Sequence, residues 1–98
     1  MKIGLIPVNV GVPNVEAMVG MAQLAEGIGF ESLWTFEHAI VPVEYQSKYP
    51  YSPDGKMGVN VDANFVDPLI ALTTIAASTK TIRLGTGVNI LSQANPLY

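Results

Sequence analysis

Short apolar runs alternate with helical stripes along this chain, and that alternation restricts it to parallel α/β arrangements. Ile3, Leu5 and Ile6 form the first run, stopped by Pro7, which suits a strand better than a helix. Asn9-Val10-Gly11-Val12-Pro13 reads as loop. Asn14 offers an N-cap, and Glu16 stands in the first turn, where the positive end of the helix dipole favours an acid. Val15, Met18, Val19, Ala22 and Ala25 recur at helical spacing, and Met21, Leu24 and Ile28 widen the stripe. Gly29 supplies a left-handed stop, so the spacing predicts a helix over 15–28. A strand follows over 31–36. Asp67 as N-cap and Pro68 at the first helical position restart helix. Its expected buried stripe is Leu69, Leu72, Ile75 and Ala76, fading at Ser78-Thr79-Lys80. A third strand is expected over 81–88, and Asn95-Pro96-Leu97 reads as the opening of another helix. Strands joined through helices take right-handed crossovers and lie parallel. The expectation is three strands and two helices of a larger sheet, in one unit over residues 1–98.

Residues 39–65 break the pattern. Pro42, Pro50, Pro53, Gly55 and Gly58 prevent regular structure there. Ser52-Pro53-Asp54-Gly55 is a turn with a mechanism: proline presets φ and glycine takes the special conformation. A loop this long in a compact domain is usually functional or disordered. Tyr45, Tyr49 and Tyr51 within it favour an ordered cover, and they could line a substrate entrance.

The 98 residues are 49% hydrophobic and 13% charged, which is a core-forming composition with strands buried on both faces. The net charge of -3 is spread singly, so neither a nucleic-acid patch nor a membrane-surface run is present. There is no cysteine, which excludes disulfides and thiolate-held metal and fits a reducing cytoplasm. No apolar stretch approaches the roughly 18 residues that span a bilayer. The expectation is a cytoplasmic protein with no metal, no nucleic acid and no membrane.

Ligands of parallel α/β sheets sit at the carboxyl ends of strands. Two such ends here carry unusual residues. Glu37-His38 follows the second run, and His38 is the chain's single histidine. An imidazole at that place can donate or accept a proton near neutrality, against the bland alternative of a hydrogen-bonded loop residue. Glu37 could orient His38 or hold a substrate proton, although neighbours in extended chain point to opposite sides. The second end is Gly85-Thr86-Gly87-Val88-Asn89. It fails the dinucleotide pattern G-x-G-x-x-G because residue 90 is Ile and no helix follows at once. A strand with glycines at a bulge is the simpler reading. Trp34, mid-strand, and the methionines of the first helix, by their spacing, read as core.

Several ordered stretches together resemble the bacterial luciferase-like monooxygenase superfamily, and are most similar to its deazaflavin (coenzyme F420)-dependent oxidoreductases. They are Leu33-Trp34-Thr35-Phe36-Glu37-His38, Tyr49-Pro50-Tyr51-Ser52-Pro53-Asp54-Gly55, Asp67-Pro68-Leu69, and Ile82-Arg83-Leu84-Gly85-Thr86-Gly87-Val88 through Asn95-Pro96. The resemblance implies a (β/α)8 TIM barrel of about 250 residues, of which this chain is the N-terminal part with the rest of the barrel absent. It implies proton transfer or cofactor contact at His38 with Glu37 beside it, and a cofactor-binding bulge at Thr86, Gly87, Val88 and Asn89. In the family's deazaflavin enzymes a non-prolyl cis peptide in that bulge backs and bends the cofactor ring. The matching bond here is Gly87–Val88. The implied reaction moves a hydride between coenzyme F420 and a small organic substrate, and a homodimer is expected. A flavin mononucleotide (FMN)-dependent monooxygenase of the same fold is the nearest alternative. A non-catalytic partial-barrel remnant or assembly module is the alternative of another class.

Overall fold

The computed structural model describes residues 1–93, 95 and 97. Its regular elements are β1 (Gly4–Leu5), α1 (Val15–Gly27), β2 (Ser32–Thr35), α2 (Pro68–Ser78) and β3 (Arg83–Thr86). The strands form one parallel sheet in the order β1-β2-β3, with Gly4 opposite Ser32, and Ser32 through Thr35 opposite Arg83 through Thr86. Alternating strands and helices thus give the expected parallel α/β arrangement. The expected helix opening at Asn95-Pro96 falls partly outside the described residues. No helix among them is long and apolar enough to cross a membrane.

Both helices begin as their capping residues dictate. Asn14 is extended and accepts the Ala17 N–H at 2.8 Å. Asp67 accepts the Leu69 and Ile70 N–H groups at 2.9 and 3.0 Å, so its own side chain fills the N-terminus of α2. At the other end of α1, Gly29 takes φ +93° and Phe30 donates back to the Ala25 carbonyl at 2.9 Å, a left-handed stop.

The helices pack on one face of the sheet. Leu33 and Thr35 of β2 point into that layer, where Leu33 meets Met18, Ala22 and Ala25 of α1 and Ala71 and Ile75 of α2 in the buried cluster. Small residues at 22, 25 and 71 let the helices approach closely. The expected stripes are therefore narrower and rotated. Val15, Leu24 and Ile28 of the α1 stripe are exposed, as are Leu69 and Ala76 on α2, where Pro68, Ala71 and Ile75 turn inward instead. Apolar residues surround α2 so fully that periodicity alone could not choose its inner face. The strands are also shorter than expected, because hydrogen-bonded pairing stops once the chain turns toward its loops.

Glu26 ties α1 to the connection between α2 and β3. Its Oε1 accepts the N–H groups of Lys80, Thr81 and Ile82 at 2.8, 2.6 and 2.9 Å, and the Thr81 hydroxyl at 3.1 Å. The Thr81, Ile82 and Lys80 N–H groups lower the carboxyl pKa from 4.5 to about 2. A depressed carboxylate pKa contributes stability above its unfolded value, and that contribution fades as pH falls through the folded value. Glu26→Gln is thus expected to lower the thermal midpoint by a constant amount above about pH 4.5, since a neutral amide is the weaker acceptor. The difference between the two proteins should shrink toward pH 2. Melting curves of both across this range check it; a difference independent of pH would mean that the carboxylate's charge is irrelevant to the tie.

Candidate functional site

The carboxyl ends of β1 and β2 and the segment leading into α2 meet at one buried amide. Beyond β1, Val8 donates to the Trp34 carbonyl at 3.1 Å, which carries the chain alongside β2 as far as Asn9. The Asn9 side chain is fully buried. Its Nδ2 donates to the carbonyls of Phe36 and Val66, each at 2.7 Å, and its Oδ1 accepts the Phe36 N–H at 3.0 Å. The Asn9 carbonyl also accepts the Val66 N–H at 3.0 Å. Two carbonyls on one side of the amide and an N–H on the other fix which atom is oxygen.

Past Phe36, Glu37 and His38 diverge. Glu37 Oε2 accepts the backbone N–H of Ile90, which fastens the end of β2 to the segment after β3. His38 turns toward the α2 side, its ring 5.7 Å from the Phe65 ring and tilted by 56°. His38 Nδ1 lies 2.8 Å from the Ile40 carbonyl. A carbonyl only accepts, so Nδ1 carries the hydrogen, and in the neutral ring Nε2 keeps its lone pair. A cavity of about 180 Å³ opens here, lined by Glu37, His38, Ala39, Phe65, Val66, Asp67 and Pro68.

The β3 end lies beside the end of β2. Gly87 and Val88 both donate to the Thr35 carbonyl, at 2.8 and 3.4 Å, so two successive residues share one acceptor and the strand bulges. Among the described residues the cis peptide bond is Ile6–Pro7, and Gly87–Val88 is trans, contrary to the family's expected cis bond. The bulge forms through the shared carbonyl of Thr35, an arrangement the trans peptide reaches without the roughly 3–4 kcal/mol that a non-prolyl cis bond costs. Glycine suits the close approach at 87: a Cβ there would stand 3.2 Å from the Thr35 oxygen and 2.5 Å from Ile6 Cδ1, which would have to move aside. Ile6, Phe36 and Val88 leave a partly exposed apolar surface around it.

The same sheet face carries Trp34. Its indole covers Gly4 and Gly85, where an added Cβ would come within 2.7 Å of Ser32 Oγ and 2.6 Å of the Trp34 ring, and its Nε1 donates to Ser32 Oγ at 3.0 Å. Trp34 thus covers the face away from the helices. On the helix side, Thr35 Oγ1 is buried and has no hydrogen-bond partner among the described residues.

The sequence-expected residues therefore fall in two groups. His38 stands with Phe65 and the start of α2, while Glu37 bonds to the segment that follows Thr86, Gly87, Val88 and Asn89. Thr86 ends β3 opposite Thr35, and the Asn89 carbonyl accepts the Leu91 N–H at 3.1 Å. Asn9 escaped the sequence reading, since an asparagine between a proline and a glycine reads as loop. The long loop is ordered by its own contacts: Tyr45 Oη accepts the Met57 N–H at 2.7 Å, and Tyr49 meets Tyr51 edge-on. It walls a larger hollow of about 620 Å³ containing neither His38 nor Gly87. The smaller cavity is the better candidate for chemistry, because it is the one with an imidazole in its wall.

The sequence model of the luciferase-like monooxygenase family matches residues 5–98. Uncharacterized proteins from two strains of Mycobacterium tuberculosis and from Mycobacterium bovis are each 32% identical over 76 residues, which is 78% of this chain and 27% of each relative. The chain spans about a quarter of the length of these curated relatives. No solved structure gives a significant match.

Proposed function

The chain belongs to the luciferase-like monooxygenase family, and on that premise we propose that it forms the opening of a (β/α)8 barrel that transfers a hydride between coenzyme F420 and a small organic substrate. The observation that carries the proposal is that an imidazole after β2 and a partly exposed apolar bulge after β3 both stand at the carboxyl end of one parallel sheet. Helices on a single face and a glycine-lined opposite face filled by Trp34 support the barrel reading.

The residues present fit a planar deazaflavin. Ile6, Phe36 and Gly87, with Val88 beside them, would offer an apolar floor to such a ring, while Thr86, in register with Thr35, shares the helix-side face and would contribute through its backbone, as the Asn89 segment would. Bound there, coenzyme F420 supplies a two-electron hydride carrier at C5, chemistry that belongs to the cofactor. This chain's part is proton handling and placement. His38 Nε2 takes the proton a substrate releases when it gives up a hydride, and returns one in the reverse direction. The Ile40 carbonyl on Nδ1 holds the ring in the tautomer that leaves Nε2 free to do so. Glu37, bonded to Ile90 N–H, keeps the bulge segment against β2 and is a positioning residue.

Fluorescence titration of the protein with coenzyme F420 and, separately, with FMN tests the reading. Saturable binding of coenzyme F420 without binding of FMN is expected. The reverse preference would make the protein an FMN-dependent monooxygenase, and binding of neither would leave a non-catalytic module.

A further inference from the structure

We propose that Asn9 is the positioning residue for His38, one buried amide locking both walls of the imidazole's cavity in register. This inference rests on the reading of His38 as the proton carrier. The Phe36 carbonyl and N–H that Asn9 binds lie two residues before His38, so the amide sets the direction in which the chain leaves β2. The Val66 carbonyl that the amide also binds, and the Val66 N–H that the Asn9 backbone carbonyl accepts, lie between Phe65, which packs against the imidazole, and Asp67, which caps α2. Wall and ring are therefore referred to the same side chain. The antiparallel bridge between Val10 and Phe65 continues the attachment, and the Gly11 N–H donates to the Asn64 carbonyl at 2.9 Å.

Burial explains why an amide does this and an apolar residue could not. Asn9 is fully buried, and the groups it binds are backbone atoms whose partners must come from within the protein. A carboxylate of the same shape would turn an oxygen toward two carbonyls. An alanine would leave two acceptors and a donor unmatched. In either case residues 36–38 lose their side-chain link to residues 65–67, which stay attached through the Asn9 carbonyl and the Val10–Phe65 bridge, and the Ile40 bond that selects the His38 tautomer loses its geometry.

The chain's single histidine makes this measurable without any activity. Long-range proton–nitrogen NMR of the neutral imidazole reports the tautomer directly. Wild type should show two widely separated ring nitrogens, the pattern of hydrogen locked on Nδ1. In Asn9→Ala they should move toward each other as the tautomers mix, while a core variant away from the site, Ile75→Val, should leave them in place. Unchanged ring signals in Asn9→Ala, or equal movement in Ile75→Val, would overturn the proposal. Should Asn9→Ala fail to fold, hydrogen exchange in wild type decides. The Phe36 amide, which donates to Asn9 Oδ1, should exchange at least about tenfold more slowly than those of the long loop, as one hydrogen bond's worth of local protection requires. Exchange at loop rates would end the idea. Because the ring is observed in the absence of cofactor, a failed deazaflavin titration and a failed Asn9 test are separate results.

Discussion

Replacing His38 with alanine should lower turnover about a hundred- to ten-thousandfold, the range that a positioned proton-transfer group supplies. The same change should cost little stability. His38 is only half-buried, and its structural interactions are one hydrogen bond to the Ile40 carbonyl and one tilted contact with Phe65. Together they are worth roughly 1 kcal/mol. The two effects therefore differ enough to be separated by measuring steady-state rates with the deazaflavin and urea unfolding on the same preparations. Loss of activity in proportion to loss of folded protein would make His38 a structural histidine. A His38→Gln variant refines the result: glutamine keeps a polar donor and acceptor near the site but neither takes up nor releases a proton near neutral pH, so it should resemble alanine in rate.

His38 and Asn9 show how much of the site was legible from residues alone. His38 announced itself because a titratable group at a strand's carboxyl end has few structural reasons to be there. The divergence of Glu37 from it followed from the two-residue period of extended chain, although the partner of Glu37, the Ile90 N–H, is a backbone atom no side-chain pattern reveals. Asn9 was invisible for a related reason. Its four hydrogen bonds all involve backbone groups, two of them 57 positions away, and such groups leave no mark on the sequence. The Gly87–Val88 bond was the opposite case. A family resemblance supplied a cis bond, whereas the chain builds its bulge by donating two successive N–H groups to the Thr35 carbonyl. Element types and caps were readable because they depend on neighbours within four residues. Which face of a nearly all-apolar helix turns inward depends on the other helix.

That last point yields the largest expected effect on stability. Leu69 and Ile75 belong to the same helix and to the same stripe by spacing, but Ile75 is 0% exposed and Leu69 57%. Ile75→Ala empties part of a cluster shared with Leu33 and Met18 and should destabilise the protein by about 2–5 kcal/mol. Leu69→Ala should change stability by about 0.5 kcal/mol or less, since its side chain is mostly in water already. With a urea slope of about 1–3 kcal/mol/M, the first change moves the unfolding midpoint by roughly 1 M or more and the second by a few tenths. For a chain of 98 residues whose total stability is about 5–15 kcal/mol, the Ile75 variant approaches the threshold of folding at all. Similar losses at the two positions would mean that Leu69 is covered in the protein in solution. A small loss at Ile75 would place the core elsewhere and remove the sheet-to-helix packing that holds β2, and with it His38, in place.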